Sequence, residues 1–124
     1  TTTTTTTKAT RVYSYDLVAP ATNAHITAAV NICGGCNAVP LATGAADVVV
    51  LCLALMGTDW FNALLEAARV LRADGRGVLL LAEVRSRIAD ESAFIERVAD
   101  AGFALAPKRA RRENKMFVLY TFTR

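Results

Sequence analysis

Apolar and polar positions come in blocks along this chain, and the block lengths predict strands alternating with helices. Arg11-Val-Tyr-Ser-Tyr-Asp16 and Ala28-Ala-Val-Asn-Ile-Cys33 are short β-favouring runs, the second broken by Gly34-Gly35. Val39-Pro40-Leu41 and Gly44 mark a loop. Asp47-Val-Val-Val-Leu-Cys-Leu-Ala-Leu55 is nearly continuously apolar, the pattern of a strand buried on both faces of a parallel sheet. Gly57-Thr58-Asp59 predicts a turn and a helix cap. Phe61, Leu64, Leu65, Ala68 and Leu71 then recur at helical spacing on one apolar face, ended by Asp74-Gly75. Gly77-Val-Leu-Leu-Leu-Ala-Glu-Val84 predicts a second buried strand. Asp90 can cap a further amphipathic helix carrying Phe94, Ile95, Val98 and Ala101, stopped by Gly102. Phe103-Ala-Leu105 and Met116-Phe-Val-Leu-Tyr-Thr-Phe122 read as the last strands, joined through a basic turn, Lys108-Arg-Ala-Arg-Arg112.

Strands alternating with helices imply an α/β sheet with helices packed on it. The ending differs, because two strands joined by a polar turn make an antiparallel hairpin. The expected fold is therefore a Rossmann-like sheet, mostly parallel and closed by a terminal antiparallel hairpin, as in class I methyltransferases. Plain dinucleotide-binding sheets usually stay parallel to the edge.

Composition narrows the class. The chain has 124 residues, 53% of them apolar and 20% charged, enough to fill one core and too apolar for intrinsic disorder. Apolar runs stay short of the roughly 18–20 residues of a spanning helix, so membrane and secreted readings are set aside. Net charge is +3, which permits an acidic partner without demanding one. Three cysteines do not make a disulfide scaffold. Residues 1–7 are all threonine, with no alternation and nothing to bury, so residues 1–10 are expected to be a flexible segment and residues 11–124 the ordered domain.

Several positions carry candidate chemistry. Asp16 closes a strand at the carboxyl end, where open α/β sheets bind ligands, and can accept both ribose hydroxyl hydrogens of a nucleoside or simply start a turn. Cys33-Gly-Gly-Cys36 has dithiol spacing, but only Cys52 and His25 remain to complete a zinc set. A loop at Gly34 and Gly35 whose backbone approaches a ligand is the favoured alternative. Cys52 reads either as a small buried hydrophobe or as a contact for a flat adenine. His25, the single histidine, sits in a polar linker and reads as solvent-exposed. Glu83 ends a buried strand and is followed by Arg85 and Arg87, so a site acid and an ordinary ion pair are equally open. Lys108, Arg109, Arg111 and Arg112 can hold phosphates or decorate a solvated hairpin tip.

Taken in series, Val12-Tyr-Ser-Tyr-Asp-Leu-Val-Ala19, Val39-Pro-Leu41, Asp47-Val-Val-Val-Leu-Cys-Leu-Ala-Leu-Met-Gly-Thr58, Glu66-Ala-Ala-Arg-Val-Leu-Arg72 and Ala82-Glu-Val-Arg-Ser-Arg87 form a specific pattern. It resembles the methyltransferase domain of the ribosomal RNA-processing protein 8 family, and the Cys-Leu-Ala-Leu-Met-Gly-Thr stretch is its most diagnostic part. The resemblance implies an enzyme that uses S-adenosyl-L-methionine, releases S-adenosyl-L-homocysteine and methylates N1 of an adenine in large-subunit ribosomal RNA, in the nucleolus of the nucleus. It makes Asp16 the ribose-binding acid, Cys52 a contact near the adenine ring, and Gly34-Gly35 the stretch facing the cofactor, where the family has an Asp-Met pair. Glu83 becomes the candidate group near the charge that develops on the base. Arg85, Arg87, Lys108, Arg109, Arg111 and Arg112 become candidate RNA contacts. Nucleolar or chromatin proteins are candidate partners, and no metal is implied. The family's first strand and glycine-rich loop have no counterpart before Arg11, so residues 11–124 are expected to be part of a methyltransferase domain. The main rival is a non-catalytic module that binds RNA or protein on the same scaffold. A small-molecule methyltransferase and, more distantly, a nicotinamide dehydrogenase follow.

Overall fold

A computed structural model describes residues 11–13, 15–16, 28–29, 39–52 and 60–124. The chain divides into two units, Thr1–Asn31 and Ile32–Arg124. Within the first, β1 (Tyr15–Asp16) pairs in parallel with β2 (Ala28–Ala29), Asp16 standing opposite Ala29. The threonine run, His25, the Cys33–Cys36 stretch with Gly34 and Gly35, and the expected turn at 57–59 lie outside the described residues.

The second unit holds a five-stranded sheet. Its elements are β3 (Val48–Cys52), α1 (Trp60–Val70), β4 (Val78–Val84), α2 (Glu91–Asp100), β5 (Ala104–Leu105), β6 (Arg111–Glu113) and β7 (Phe117–Thr123). β3 and β4 are adjacent and parallel, with α1 as their crossover. β7 lies antiparallel on the far edge of β4, and β5 and β6 pair in succession along its other edge. Every strand of this sheet except β7 therefore runs in one direction. The reversed strand of the expected hairpin is present, but it lies inside the sheet rather than at its rim.

The hairpin turn differs from the expected one. Arg111 and Arg112 belong to β6, and the chain reverses at Asn114-Lys115-Met116, where Asn114 Oδ1 accepts the N–H groups of Met116 and Phe117 at 2.9 and 2.8 Å. An Asx turn closes the hairpin, because a short side-chain acceptor can stand in for a backbone carbonyl.

α2 follows its sequence signals: Asp90 caps it through Oδ1, which accepts the Ala93 N–H at 3.1 Å, and Gly102 takes a left-handed φ of 103° just past its end. α1 stops short of the expected Asp74-Gly75: it closes at Val70, Leu71 already bridges in parallel to Ala46, and Gly75, at φ 84°, shapes the bend before β4. The last carbonyls of α1 are bound from across the sheet: Arg124 Nη1 donates to Ala68 O and, at 3.0 Å, to Leu71 O. Gly77 is required by close approach, since a Cβ there would lie 2.3 Å from the Arg72 carbonyl oxygen.

The core lies on one face of the sheet. Leu51, Leu79, Leu81, Val118, Tyr120 and Phe122 pack against Leu64, Ala67, Ala68 and Leu71 from the α1 side and Val98 and Ala101 from the α2 side. Each fully buried leucine contributes about 1.5–3 kcal/mol relative to an exposed one. The alternate residues are open: Val50 is 63% exposed, Leu80 40% and Leu119 48%. The expectation of strands buried on both faces is thus corrected, because α1 and α2 cover the same side.

Candidate functional site

Parallel strands present their carboxyl ends to ligands, and here those ends are Cys52 of β3 and Val84 of β4. Pairing fixes the faces. Cys52, Ala82, Leu119 and Arg112 form one cross-strand row on the open side. Cys52 is exposed, which corrects the reading of it as a small buried hydrophobe. The small side chains of Cys52 and Ala82 leave room for a flat ring at the end of this pair of strands. Asp16 likewise closes its strand, β1.

Glu83 points the other way, into the helix-covered side, and is 2% exposed. Its Oε1 accepts the Val84 N–H at 3.1 Å, while Oε2 is buried with no hydrogen-bond partner among the described residues. The ordinary Glu83–Arg85 ion pair does not form. Arg85 instead pairs through Nε with Glu113 at 3.1 Å and donates from Nη1 to Asn114 O at 3.1 Å. A buried carboxyl oxygen without a donor is costly, and Glu83 lines neither the cavity beside Arg111 nor the concavity beside Cys52.

The cations of the 108–112 stretch separate by strand parity. Arg111 shares a row with buried Tyr120, donates from Nη2 to Glu91 at 3.0 Å and to Glu113 at 2.9 Å, and is held charged by them. The same guanidinium keeps the Glu113 carboxyl below the usual carboxylate range. Arg85, Ile88, Glu91, Arg111, Val118 and Tyr120 line a cavity of about 110 Å³ on this side. The Tyr120 hydroxyl is buried without a partner among the described residues, and burial, aided by the Glu91 charge, pushes its pKa up. Lys108, Arg109 and Arg112 stand on the other side, at a concavity of about 520 Å³ whose floor includes Val50, Cys52, Leu80, Ala82 and Leu119. None of these three pairs with a carboxylate among the described residues. Arg87 is exposed on the short 3-10 turn Arg85–Arg87. Among the described residues no group of histidine, cysteine, aspartate and glutamate could hold a metal ion.

One constellation was missed by sequence reasoning. Glu66, buried on α1, accepts the Arg69 Nε–H on Oε1 and the Val39 N–H on Oε2 at 3.2 Å. Arg69 in turn donates from Nη2 to Val39 O at 2.8 Å and from Nη1 to Leu41 O at 2.9 Å. The following chain is tied to the same helix, Gly44 N–H to Arg69 O at 2.9 Å and Ala46 N–H to Val70 O at 2.8 Å. The available signal was a lone charge, Glu66, inside the apolar run Ala63–Ala68. This pair ties Val39-Pro-Leu41 to the Glu66–Arg72 stretch, two of the segments that carried the resemblance.

Comparison with known proteins agrees with this arrangement. Residues 2–124 match the family described as "Hypothetical methyltransferase". The 25S rRNA (adenine(645)-N(1))-methyltransferase of Schizosaccharomyces pombe is 41% identical over 114 residues, covering 90% of this chain and 32% of that protein. Ribosomal RNA-processing protein 8 of Arabidopsis thaliana is 40% identical over 118 residues, covering 90% of this chain and 37% of its own length. That of Dictyostelium discoideum is 38% identical over 113 residues, covering 91% and 26%. The chain thus spans about a third of the length of these relatives. With nearly its whole length matched and a single reversed strand in an otherwise unidirectional sheet, the chain belongs to this methyltransferase family.

Proposed function

We propose that the chain is part of an S-adenosyl-L-methionine-dependent enzyme that methylates N1 of adenine in large-subunit ribosomal RNA. The observation that carries the reading is the pair of parallel strand ends, with exposed Cys52 beside small Ala82 at the concavity on the open face. The relatives named as rRNA adenine-N1 methyltransferases give the substrate its class. Work on ribosomal RNA would place the protein at the nucleolus.

The donor would supply a methyl group on a sulfonium, whose sulfur keeps the electron pair when the bond to carbon breaks. The resemblance gives Asp16 the ribose, Cys52 the adenine and Gly34-Gly35 the cofactor-facing stretch, and each of these roles is part of the proposal. Adenine N1 already carries a lone pair, so the protein needs no strong base and serves mainly to align the groups and exclude water. N1 lies on the pairing edge, so a paired target must first be unstacked and turned out. Glu83 stays the proposed group for the positive charge that develops on the base, acting through its field rather than by contact, since its side chain lies on the face opposite Cys52.

The test is methyl transfer from radiolabelled S-adenosyl-L-methionine to a large-subunit rRNA fragment, with calorimetry of S-adenosyl-L-homocysteine alongside. Glu83→Gln is expected to lower turnover about 100-fold, the scale of losing one electrostatic stabiliser, with product affinity kept. Undiminished turnover would remove Glu83 from the reaction. No product binding by the unaltered protein would favour the non-catalytic binding module instead.

A further inference from the structure

We propose that Lys108, Arg109 and Arg112 form a phosphate-gripping rim for single-stranded RNA at the edge of the open sheet face. The assignment rests on the ribosomal RNA substrate proposed above.

The backbone builds this rim. Leu105 is in register with Phe122 and Arg111 with Tyr120, so only Thr121 of β7 stands opposite residues 106–110. Thr121 O accepts the Ala106 N–H at 2.9 Å, and Thr121 N–H donates to Ala110 O at 2.8 Å. The ladder is therefore intact on both sides, and Pro107, Lys108 and Arg109 are extruded between. Bulges of this kind at sheet edges redirect side chains and commonly adjoin sites. Arg109 sits at φ 52°, the only non-glycine residue with positive φ among the described residues. Such a conformation disfavours any residue with a Cβ and is kept where the side chain it presents is used.

Charge separates this rim from its neighbours. Arg85 and Arg111 are each satisfied by carboxylates, whereas Lys108, Arg109 and Arg112 have none among the described residues and line the same concavity. Arg112 ends the row that begins at Cys52. Three strand spacings of about 4.8 Å put the rim about 14 Å from that strand end, a distance suited to nucleotides flanking a target base rather than to the base itself. Contacts of this type grip and orient the backbone without reading sequence.

The experiment is fluorescence anisotropy of a labelled single-stranded rRNA oligonucleotide against the full chain, at several salt concentrations. K108Q/R109Q/R112Q is expected to bind at least 30-fold more weakly at low salt. Its log-affinity against log-salt slope should be shallower by about 2, from roughly 0.7 per lost phosphate contact on a single strand. R109G should bind several-fold more weakly while melting no lower than the unaltered protein, because glycine relieves the left-handed strain; a purely structural Arg109 would not separate the two readouts. R76Q/R97Q, a control removing charges away from the rim, should keep affinity within threefold. Unchanged affinity and slope in the triple variant, or loss confined to R85Q/R111Q, would overturn the rim alone. Absence of RNA binding by the unaltered protein would overturn the RNA substrate and the rim with it.

Discussion

Removing the Arg69 guanidinium should unfold this domain far more easily than loss of an ordinary surface charge. The Glu66 side chain is 1% exposed and that of Arg69 17% exposed, so the pair is shielded from water. In Arg69→Ala the Glu66 carboxylate keeps one protein donor, the Val39 N–H at 3.2 Å, and the Val39 and Leu41 carbonyls lose their guanidinium donors. Breaking a buried pair from one side costs about 3–5 kcal/mol, because the remaining charge stays desolvated. Domains of this size are stable by about 5–15 kcal/mol, so the loss is a large part of the whole. With a urea m-value of about 1.5 kcal/mol/M, the unfolding midpoint should drop by about 2–3 M. Trp60, the single tryptophan, stacks on Phe94 with ring centroids 5.7 Å apart and reports the transition by fluorescence, with circular dichroism as the second probe. E66L/R69M removes both charges and should be less destabilised than Arg69→Ala alone, since no unpaired ion is left inside. A loss below about 1 kcal/mol for Arg69→Ala, the value of an exposed ion pair, would refute the clamp.

Two further outcomes separate the faces of the sheet and the state of its buried phenol. Leu81→Ala, at a position 1% exposed beneath the helices, should cost about 2–5 kcal/mol, whereas Leu119→Ala on the open face should cost less than about 1 kcal/mol; equal losses in urea titration would mean that Leu119 is covered. The Tyr120 phenol is held above its ordinary 10.0 by burial, so its contribution to stability is fully present below pH 10.0 and is lost as pH rises through the higher folded value. Ultraviolet titration at tyrosinate wavelengths should show one late component that Tyr120→Phe removes, and an undelayed titration would contradict the burial.

The helices and the longer strands were legible because their signals are local, whereas β6 reads as a turn and the place of β7 inside the sheet is not foreseen. Asp90 and Gly102 do their work within a few residues of where they stand, and the apolar spacing through Leu64 and Ala68 marks one helix face directly. What covers the other side of a strand is a tertiary matter, so the unbroken apolar run from Asp47 said nothing about which face the helices would take. Glu66 and Arg69 were hidden for the same reason, since their other partners, Val39 and Leu41, lie more than twenty residues away. The cationic stretch shows the opposite failure. Neighbours along a strand point to opposite faces, so Arg111 and Arg112 had to part company once they belonged to β6; reading them as a turn concealed this.

The place of β7 between β4 and β5–β6 sets an order of events during synthesis. β3, α1 and β4 can associate as they leave the ribosome, since each contacts a neighbour already made. β5 and β6 emerge before β7 but have no strand to pair with until Phe117–Thr123 exists, because all of their ladder partners lie in it. Two edges, that of β4 and that of the β5–β6 segment, thus wait on a single late segment. A premature stop before Phe117 would leave the β3–β4 pair with a bare edge and the β5–β6 segment with no strand to pair with, both exposed to chaperones and to one another.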